Sequence, residues 1–491
     1  MIEPVLFAGC TPEVAGFDGR IIAVGPKARA AAGRRAEVVR LRGTAWPGLI
    51  DSHIHLEGLA DRKLGVDLTG SSDLADCLAR VKAWAKPLQK DAWVVGGGWY
   101  NDIWPQRAFP SRQPLDEAAG GRPVFLQRKD GHSAWVSSEA LRLAGVDATT
   151  EDPPGGTIDR VRRGQPTGIL RETAIELVAR VLPAPSDADF DSALSAVLGE
   201  LANLGLTSVH SMDTARCLSA LQRLIARGPL PVRVVYNLPL ADLAHAERIG
   251  VRSGWGGPWL RIWGVKAFLD GSLGSRTAEM LDGSGTVRLQ QADLEEMLRR
   301  CANAELNVCL HAIGDGAVRR ALDALASHRN AWRDWRPRLE HAQCVNPKDA
   351  ARMANLGVIA SMQPIHAVSD RDLADALWPS VTSHSYAWRM LERAGVRLAF
   401  GSDAPVETPD PMAGMEAATS WRREAMWHPE LALTRAAALR AYTSGAAYAA
   451  GMEGDAGTLR PGKLCDITVV SEGRVEASIA GGQVTFRRKR A

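Results

Sequence analysis

The chain has 491 residues, of which 46% are hydrophobic and 23% are charged. This composition is typical of a globular protein with a large core, and the length exceeds that of one average domain. A net charge of +3 gives no reason to expect a nucleic-acid partner. No apolar run is long enough to cross a membrane, so no membrane partner is expected either.

The cysteines of the chain are scattered. There are seven of them, and no two form a CxxC pair. An odd number of unclustered cysteines is typical of reduced thiols, and the N-terminus lacks a basic segment followed by an apolar block. We therefore expect a cytoplasmic protein without a signal peptide, a disulfide framework or a zinc–cysteine site.

Residues 1–46 and 456–491 have the same character, with short β-like pieces separated by Gly and Pro. Neither end has enough strands to form a stable sheet alone. We therefore expect the two ends to pair into one small β-sandwich domain that flanks a central body, residues 47–455.

Residues 47–55 begin with a Pro-Gly turn pair and continue as a short apolar strand that ends in two histidines. His53 and His55 are two positions apart, so in an extended chain their side chains point to the same face. Both imidazoles can then reach one metal ion. The alternative is a pair of ordinary polar residues at a strand end.

Residues 60–200 form a segment too long for a single connection between a strand and a helix. The segment is rich in Trp and Gly and contains an apolar run of its own. We expect it to be a cap-like insertion after the first strand of the central body.

From residue 204 onward, helical spacing of apolar residues alternates with short apolar strands. Together with the strand before His53, this pattern predicts a (β/α)8 TIM barrel whose mouth is covered by the insertion. The eight predicted strands are 49–53, 206–211, 232–238, 262–269, 307–311, 338–343, 358–362 and 396–401.

Further polar residues lie at the ends of these strands. Lys266 lies within the fourth strand, where a charged side chain is costly unless it is paired or modified. His311 and His341 end the fifth and sixth strands, and Asp403 follows the eighth. Barrel enzymes carry their chemistry at the C-terminal ends of the strands. A core histidine explains any one of these residues, but it does not explain all of them at strand ends.

These motifs resemble the amidohydrolase superfamily, and within it the branch that includes N-substituted formamide deformylases. The resemblance extends over nearly the whole chain. It rests on HxH at 53–55, VKxFxDGSLGSRTA at 265–278, HAIGD at 311–315, LEHAQ at 339–343, QPIH at 363–366, GSDAPV at 401–406 and the closing segment 457–466.

The resemblance implies a divalent metal centre with one or two ions. His53, His55 and Asp403 would hold one ion, and His311 and His341 a second. Lys266 would bridge the ions as a carboxylated lysine. Burial favours the neutral amine, which can add CO2. Imidazole and carboxylate donors suit zinc first. The alternative is a structural ion pair of Lys266 with Asp270, which leaves a one-metal site.

The implied reaction is hydrolysis of a non-peptide C–N bond, of the amide or formamide type, in a small-molecule substrate. Metal-activated hydroxide would attack the carbonyl, with Asp403 as general acid and base. Hydrolysis of an ester or a cyclic C–N bond is an alternative, and so is a non-catalytic binding member of the fold. The fold is also compatible with a homo-oligomer.

Five residues are candidates for contact with the substrate. His132 and Glu172 lie in the insertion, His132 in a stretch that resembles the formamide deformylase branch. Trp99 in the same segment either lines the pocket or packs the core of the insertion. Gln363 and His366 follow the seventh strand, where they either line the pocket or shape the loop.

Overall fold

The computed structural model describes residues 3–129, 131, 133–183, 185–331 and 336–489. The chain divides into two compact units. One unit, here called the barrel unit, consists of Met1–Glu57 and Ser195–Ala491, and the other, the insertion unit, consists of Gly58–Leu194.

The strands of the described residues are, in chain order, β1 (Val5–Thr11), β2 (Val14–Phe17), β3 (Arg20–Val24), β4 (Glu37–Pro47), β5 (Leu49–Ile54), β6 (Val66–Asp67), β7 (Val94–Trp99), β8 (Val124–Arg128), β9 (Ser133–Val136), β10 (Gly156–Arg160), β11 (Pro166–Glu172), β12 (Leu206–Ser211), β13 (Arg233–Pro239), β14 (Leu260–Phe268), β15 (Asn307–Ala312), β16 (Arg338–His341), β17 (Ile359–Met362), β18 (Arg397–Phe400), β19 (Ile467–Ser471), β20 (Arg474–Ala480) and β21 (Gln483–Arg487).

The α-helices are α1 (Ala28–Ala32), α2 (Leu56–Lys63), α3 (Leu74–Ala85), α4 (Arg112–Ala118), α5 (Ser138–Ala144), α6 (Glu176–Ala179), α7 (Asp187–Asn203), α8 (Ala215–Arg227), α9 (Leu243–Ile249), α10 (Gln291–Asn303), α11 (Asp315–His328), α12 (Pro347–Leu356), α13 (His366–Leu377), α14 (Trp388–Arg393), α15 (Pro411–Glu416), α16 (Arg422–Glu424), α17 (Arg435–Arg440) and α18 (Ala446–Ala449). None of the described helices is long and apolar enough to cross a membrane.

The barrel is an eight-stranded parallel sheet in the order β18-β17-β16-β15-β14-β13-β12-β5. Its first and last strands are joined where Asp403 N–H donates to His53 O and His55 N–H donates to Ala404 O, each at 2.7 Å. Strands β5, β12 and β15 are buried along their whole length, as expected for parallel strands covered on both faces. The predicted (β/α)8 TIM barrel is confirmed.

The two ends of the chain share one seven-stranded sheet, in the order β21-β20-β19-β4-β1-β2-β3. Strand β4 joins them, because it pairs in parallel with β1 and antiparallel with β19. The sheet curves back on itself, since Cys465 N–H before β19 donates to Gly19 O beside β3 at 2.8 Å. The two sides of the expected sandwich are therefore two halves of one continuous sheet. They enclose a core that includes Phe7, Ile21, Leu41, Ile467 and Ile479.

The insertion unit contains a six-stranded sheet in the order β10-β11-β9-β8-β7-β6. Its helices and strands enclose two apolar clusters, one around Trp99 and Trp135 and the other around Phe125 and Leu170. The insertion therefore has a core of its own. That it covers the barrel mouth stays a prediction.

Candidate metal centre

The residues predicted as metal ligands lie together at the C-terminal end of the barrel strands. His53 is in β5 and His55 follows it, Lys266 is in β14, His311 is in β15, His341 ends β16 and Asp403 follows β18. All but His55 are less than a tenth exposed. The residues converge because the strands of the barrel are parallel, so that their C-terminal ends lie at the same end of the barrel.

Asp403 lies at the centre of this group. Its Oδ1 atom is 3.4 Å from His53 Nε2 and 3.2 Å from His55 Nε2. Donor atoms of His53, His341 and Asp403 all lie within 4.8 Å of one another. Imidazole and carboxylate donors at this spacing suit a divalent metal centre, and zinc binds such donors well.

Lys266 is buried beside the same histidine. Its Nζ atom lies 3.4 Å from His53 Nε2. Burial lowers the pKa of Lys266, which favours the neutral amine. The alternative ion pair with Asp270 is not found in the part of the chain that the structure describes. The Asp270 carboxylate instead accepts hydrogen bonds from backbone N–H groups, those of Glu279, Ile313 and Gly314.

Hydrogen bonds fix which ring nitrogen of each histidine is available to an ion. Each of three histidines uses one ring nitrogen for a neighbouring oxygen: His53 Nδ1 with Glu340 Oε2 (2.6 Å), His341 Nδ1 with Gln363 Oε1 (2.8 Å) and His311 Nε2 with Gly271 O (2.9 Å). The other nitrogen of each ring is then unprotonated and free to ligate. His311 Nδ1 is buried and has no hydrogen-bond partner among the described residues. A bound ion would satisfy this atom, so the donor set fits a metal centre.

The electrostatics of the histidines suit the same role. Burial lowers the pKa of His53 to about 4 and that of His311 to about 3, and nearby Lys266 acts in the same direction. Both rings are therefore neutral at pH 7, which is the form that binds metals. His55 differs. Burial acts to lower its pKa, but hydrogen bonds with Asp213 and Asp403 raise it to about 9. An ion bound at His55 would take the place of that proton.

Glu340 is a functional residue that the sequence reasoning missed. Its carboxylate accepts from His53 and, at Oε1, from Arg338 Nε at 2.8 Å. Both Glu340 and Arg338 are completely buried. Burial acts to raise the pKa of Glu340, but Arg338 and His53 hold it well below its ordinary value. The available signal was alternation, because Arg338 and Glu340 are two apart in one strand and face the same side.

Three further buried aspartates support the loops that carry the ligands. Each accepts at least one backbone N–H close to a ligand, which fixes the path of the chain there. The bonds are Asp51 with His53 N (3.0 Å) and Ser402 N (3.1 Å), Asp213 with Leu56 N (2.8 Å), and Asp270 with Ile313 N (3.0 Å) and Gly314 N (2.9 Å).

The backbone at the centre is itself unusual. His341, Ala342 and Asp403 have φ angles of 71°, 43° and 58°. Residues other than glycine rarely adopt this conformation, and each instance costs on the order of 1–3 kcal/mol. Such a conformation persists only where the surrounding structure enforces it. Two of the three residues, His341 and Asp403, are candidate metal ligands.

The candidates for substrate contact are placed differently. His132 lies outside the described residues. Trp99 has no exposed surface, and its Nε1–H donates to Leu126 O at 2.9 Å. It packs the core of the insertion unit, which is the second of the two roles considered for it, and its contact with a substrate stays a prediction. Glu172 ends β11 in the same unit and is exposed.

Gln363 and His366 both lie at the metal centre. The Gln363 side-chain oxygen accepts from His341, so Gln363 positions a candidate metal ligand, and its contact with a substrate stays a prediction. His366 begins α13, and its Nδ1 accepts from Gln343 Nε2 at 3.3 Å. With Nδ1 as the acceptor, Nε2 is the ring nitrogen that can donate. This atom is buried, has no partner among the described residues and lies 3.7 Å from Asp403 Oδ2. Of these two residues, His366 is therefore the better placed to contact a substrate.

Known proteins resemble this chain over most of its length. The model of the amidohydrolase family matches residues 39–481. Protein LONG AFTER FAR-RED 3 of Arabidopsis thaliana is 34% identical over 490 residues, covering 92% of this chain and 83% of the relative. N-substituted formamide deformylase of Arthrobacter pascens is 28% identical, covering 96% and 91%. The crystal structure of an uncharacterized metal-dependent hydrolase from Pyrococcus furiosus has a TM-score of 0.77 at 28% identity and covers 95% of this chain and 98% of that chain.

Proposed function

This chain belongs to the amidohydrolase family, and on that basis we propose that it is a metal-dependent hydrolase of a non-peptide C–N bond in a small amide or formamide. The observation that carries the proposal is the donor set at the barrel end. Four histidines, Lys266 and Asp403 converge there from five strands, and hydrogen bonds orient the rings of three of the histidines.

The donors divide into two groups. His53, His55 and Asp403 would hold one ion, and His311 and His341 a second, with carboxylated Lys266 between them. When bound, an ion of the zinc type supplies Lewis acidity that activates water and polarises a carbonyl group. Burial lowers the pKa of Lys266 and so favours the neutral amine, which is the form that can add CO2.

Asp403 is the residue suited to proton transfer. Burial acts to raise its pKa, but His55, His53 and His341 bring the pKa well below its ordinary value, so the carboxylate is ionised. It can accept the proton of the attacking water and pass it to the departing nitrogen, which needs a proton to leave as an amine. His366 Nε2–H, beside the other carboxylate oxygen, can donate to the substrate.

The class of bond is supported by similarity. One relative is named as an N-substituted formamide deformylase, and the matched length is nearly complete for both chains. A proton shuttle beside a donor set for metal suits a nitrogen leaving group. Esters and cyclic C–N compounds are alternative substrates of the same centre, and a binding protein without turnover is the alternative from another class.

The test combines metal analysis with a substrate panel. The purified protein is expected to contain one or two divalent ions per chain and to hydrolyse N-substituted formamides or simple amides faster than matched esters and cyclic ureides. His53→Ala together with His55→Ala should remove metal and turnover while the melting curve stays cooperative. His245→Ala is the matched control, because its side chain is exposed and lies in α9.

Three results would contradict the proposal. A metal-free protein without turnover of any compound would favour the binding role. Faster hydrolysis of esters or ureides would change the substrate class. Full metal and turnover in the double variant would show that the centre is elsewhere.

A further inference from the structure

A second group of metal-type donors lies apart from the barrel-end ligands. It consists of Asp315, Cys344 and His384, and their donor atoms all lie within 4.8 Å of one another. Asp315 is the first residue of α11, Cys344 follows β16 by three positions, and His384 ends a short helix, Thr382–His384. None of the three is among the ligands assigned above.

The backbone holds two of these residues side by side. Cys344 forms an isolated antiparallel bridge with Ser385, and Val345 N–H donates to His384 O at 3.2 Å. The first pairing places Ser385 opposite Cys344, and the second joins His384 to Val345. The backbone of the fold therefore brings Cys344 and His384 together.

The polar atoms of the group are incompletely satisfied. His384 Nε2 is buried and has no hydrogen-bond partner among the described residues. Buried polar atoms are nearly always paired, and an exception points to a bound ion or water. The Asp315 Oδ1 atom accepts from Leu281 N–H at 2.9 Å, which leaves the second carboxylate oxygen to face a ligand.

The chemistry of the donors selects the kind of ion. A thiolate, an imidazole and a carboxylate together suit zinc and similar borderline ions, whereas magnesium and calcium prefer oxygen alone. Burial raises the pKa of the Cys344 thiol to about 12, and the charge of Asp315 acts in the same direction, while hydrogen bonds with the Ser385 side chain and the Asp315 backbone act to lower it. A metal ion would supply the charge that deprotonates the thiol.

A cavity of about 510 Å³ adjoins the group. Asp315 belongs to its wall, and so do Asn346 and Val381, which lie close in sequence to Cys344 and His384. Three protein donors leave a tetrahedral ion with one open position, as in zinc sites that bind water or a ligand. Of the three residues Asp315 lines the cavity, so the open position would lie on its side of the group.

We propose that Asp315, Cys344 and His384 form a second metal site, for a divalent ion of the zinc class, with its fourth position open to the adjoining cavity. The sequence gives no sign of it, because the three residues have no zinc-type spacing. The site does not depend on the reaction proposed for the barrel end.

Cobalt distinguishes this site from the barrel-end centre, since the ligands proposed here include a thiolate and those proposed at the barrel end do not. Metal is removed from the full-length protein by chelation, and cobalt(II) chloride is then titrated while the near-ultraviolet spectrum is recorded. Cobalt that binds at the barrel end should give no thiolate-to-cobalt charge-transfer band. Cobalt that binds at the second site should give one, and this band should saturate at one equivalent of cobalt per chain in addition to the cobalt bound at the barrel end. His384→Ala should weaken the binding that produces this band by at least about tenfold, because loss of even an outer partner of a ligand costs that much.

Two variants decide the assignment. Cys344→Ser should abolish the band and leave turnover by the barrel-end centre unchanged. Cys10→Ser is the matched control and should keep the band, because Cys10 lies in the terminal sheet and bonds only backbone carbonyls, those of Phe7 and Pro12. Absence of the band in the wild-type protein with excess cobalt, or its persistence in Cys344→Ser, would overturn the proposal. Because His384 is half-buried, His384→Ala provides a second test if Cys344→Ser fails to fold.

Discussion

The Nδ1 atom of His53 lies 2.6 Å from Oε2 of Glu340, and neither side chain has any exposed surface. The contact joins the first and sixth strands of the barrel across its interior. It places the His53 proton on Nδ1 and turns Nε2 toward Asp403 and Lys266. The fully buried carboxylate of Glu340 thus determines which ring nitrogen of His53 is available to an ion.

Glu340→Gln is expected to weaken metal binding by about 10–100-fold, the usual effect of losing the partner of a ligating histidine. It should also lower the free energy of unfolding by about 3–5 kcal/mol, because Arg338 is left buried without its counter-charge. Metal-competition titration and urea unfolding measure the two effects. Glu305→Gln is the control, since Glu305 pairs with Arg252 at the surface and should change stability by less than about 1 kcal/mol. Unchanged metal affinity in Glu340→Gln would contradict the role given to this residue.

Lys266→Ala should lose one ion and most of the turnover if the lysine bridges two ions in its carboxylated form. A short carboxylic acid added to the medium should restore part of the turnover in proportion to its concentration, because it can occupy the vacated space between the ions. The restoration should be absent when His311→Ala is added, since the second ion has then lost a direct ligand. Metal analysis and intact mass of the wild-type protein measure the ions and the added CO2. A variant that keeps both ions, or an unmodified wild-type lysine, would leave a one-ion hydrolase.

Gln363→Ala and His366→Ala should separate metal binding from turnover. Gln363 holds the ring of His341, so its loss should lower metal affinity. His366 lies 3.7 Å from Asp403 Oδ2, and its ring stacks on that of His341 with the centroids 6.3 Å apart. It holds neither residue by a hydrogen bond among the described residues, so its loss should leave metal content unchanged. Its loss should lower kcat by about 10²-fold, the usual cost of removing one donor from an active site. Metal analysis and steady-state kinetics on the same preparations provide the comparison. Loss of metal in His366→Ala would show that this residue is a ligand.

Asp466→Ala tests the attachment of the terminal sheet to the barrel. The Asp466 carboxylate bonds Arg233 through both oxygens, at 2.7 and 3.0 Å, and the pair is almost completely buried. Removing the carboxylate leaves a buried, unpaired guanidinium and should lower the free energy of unfolding by about 3–5 kcal/mol. Asp455→Ala removes the partner of Arg20 in an exposed pair and should cost less than about 1 kcal/mol. Equal effects in denaturant unfolding would mean that burial does not decide the strength of the pair.

The barrel and its polar strand ends could be predicted because both leave local traces in the sequence. Alternating strands and helices have distinct periods, and parallel strands must place their C-terminal ends together. The position of His341 and of Asp403 relative to the strands was enough to bring them to one end of the barrel.

Contacts between distant parts of the chain could not be predicted in the same way. Glu340 meets His53 across 287 positions of sequence, and nothing local to either residue indicates the other. Trp99 was open to two interpretations, because an aromatic residue in a segment rich in glycine suits a pocket wall and a small core equally well. The group at Cys344 is assembled from three separate parts of the chain and has no spacing that marks it.

The barrel is closed through the backbone of three of the candidate metal ligands, His53, His55 and Asp403. The two hydrogen bonds between the first and last strands run from Asp403 to His53 and from His55 to Ala404. Some 350 residues separate these partners, and the neighbouring Asp51 and Ser402 are 351 residues apart. The first strand therefore cannot pair with the last until most of the chain has been synthesised. The candidate metal centre is assembled when these two strands pair. An ion held by His53, His55 and Asp403 would therefore connect the first and last strands of the barrel, which are the earliest and the latest of its strands to be synthesised.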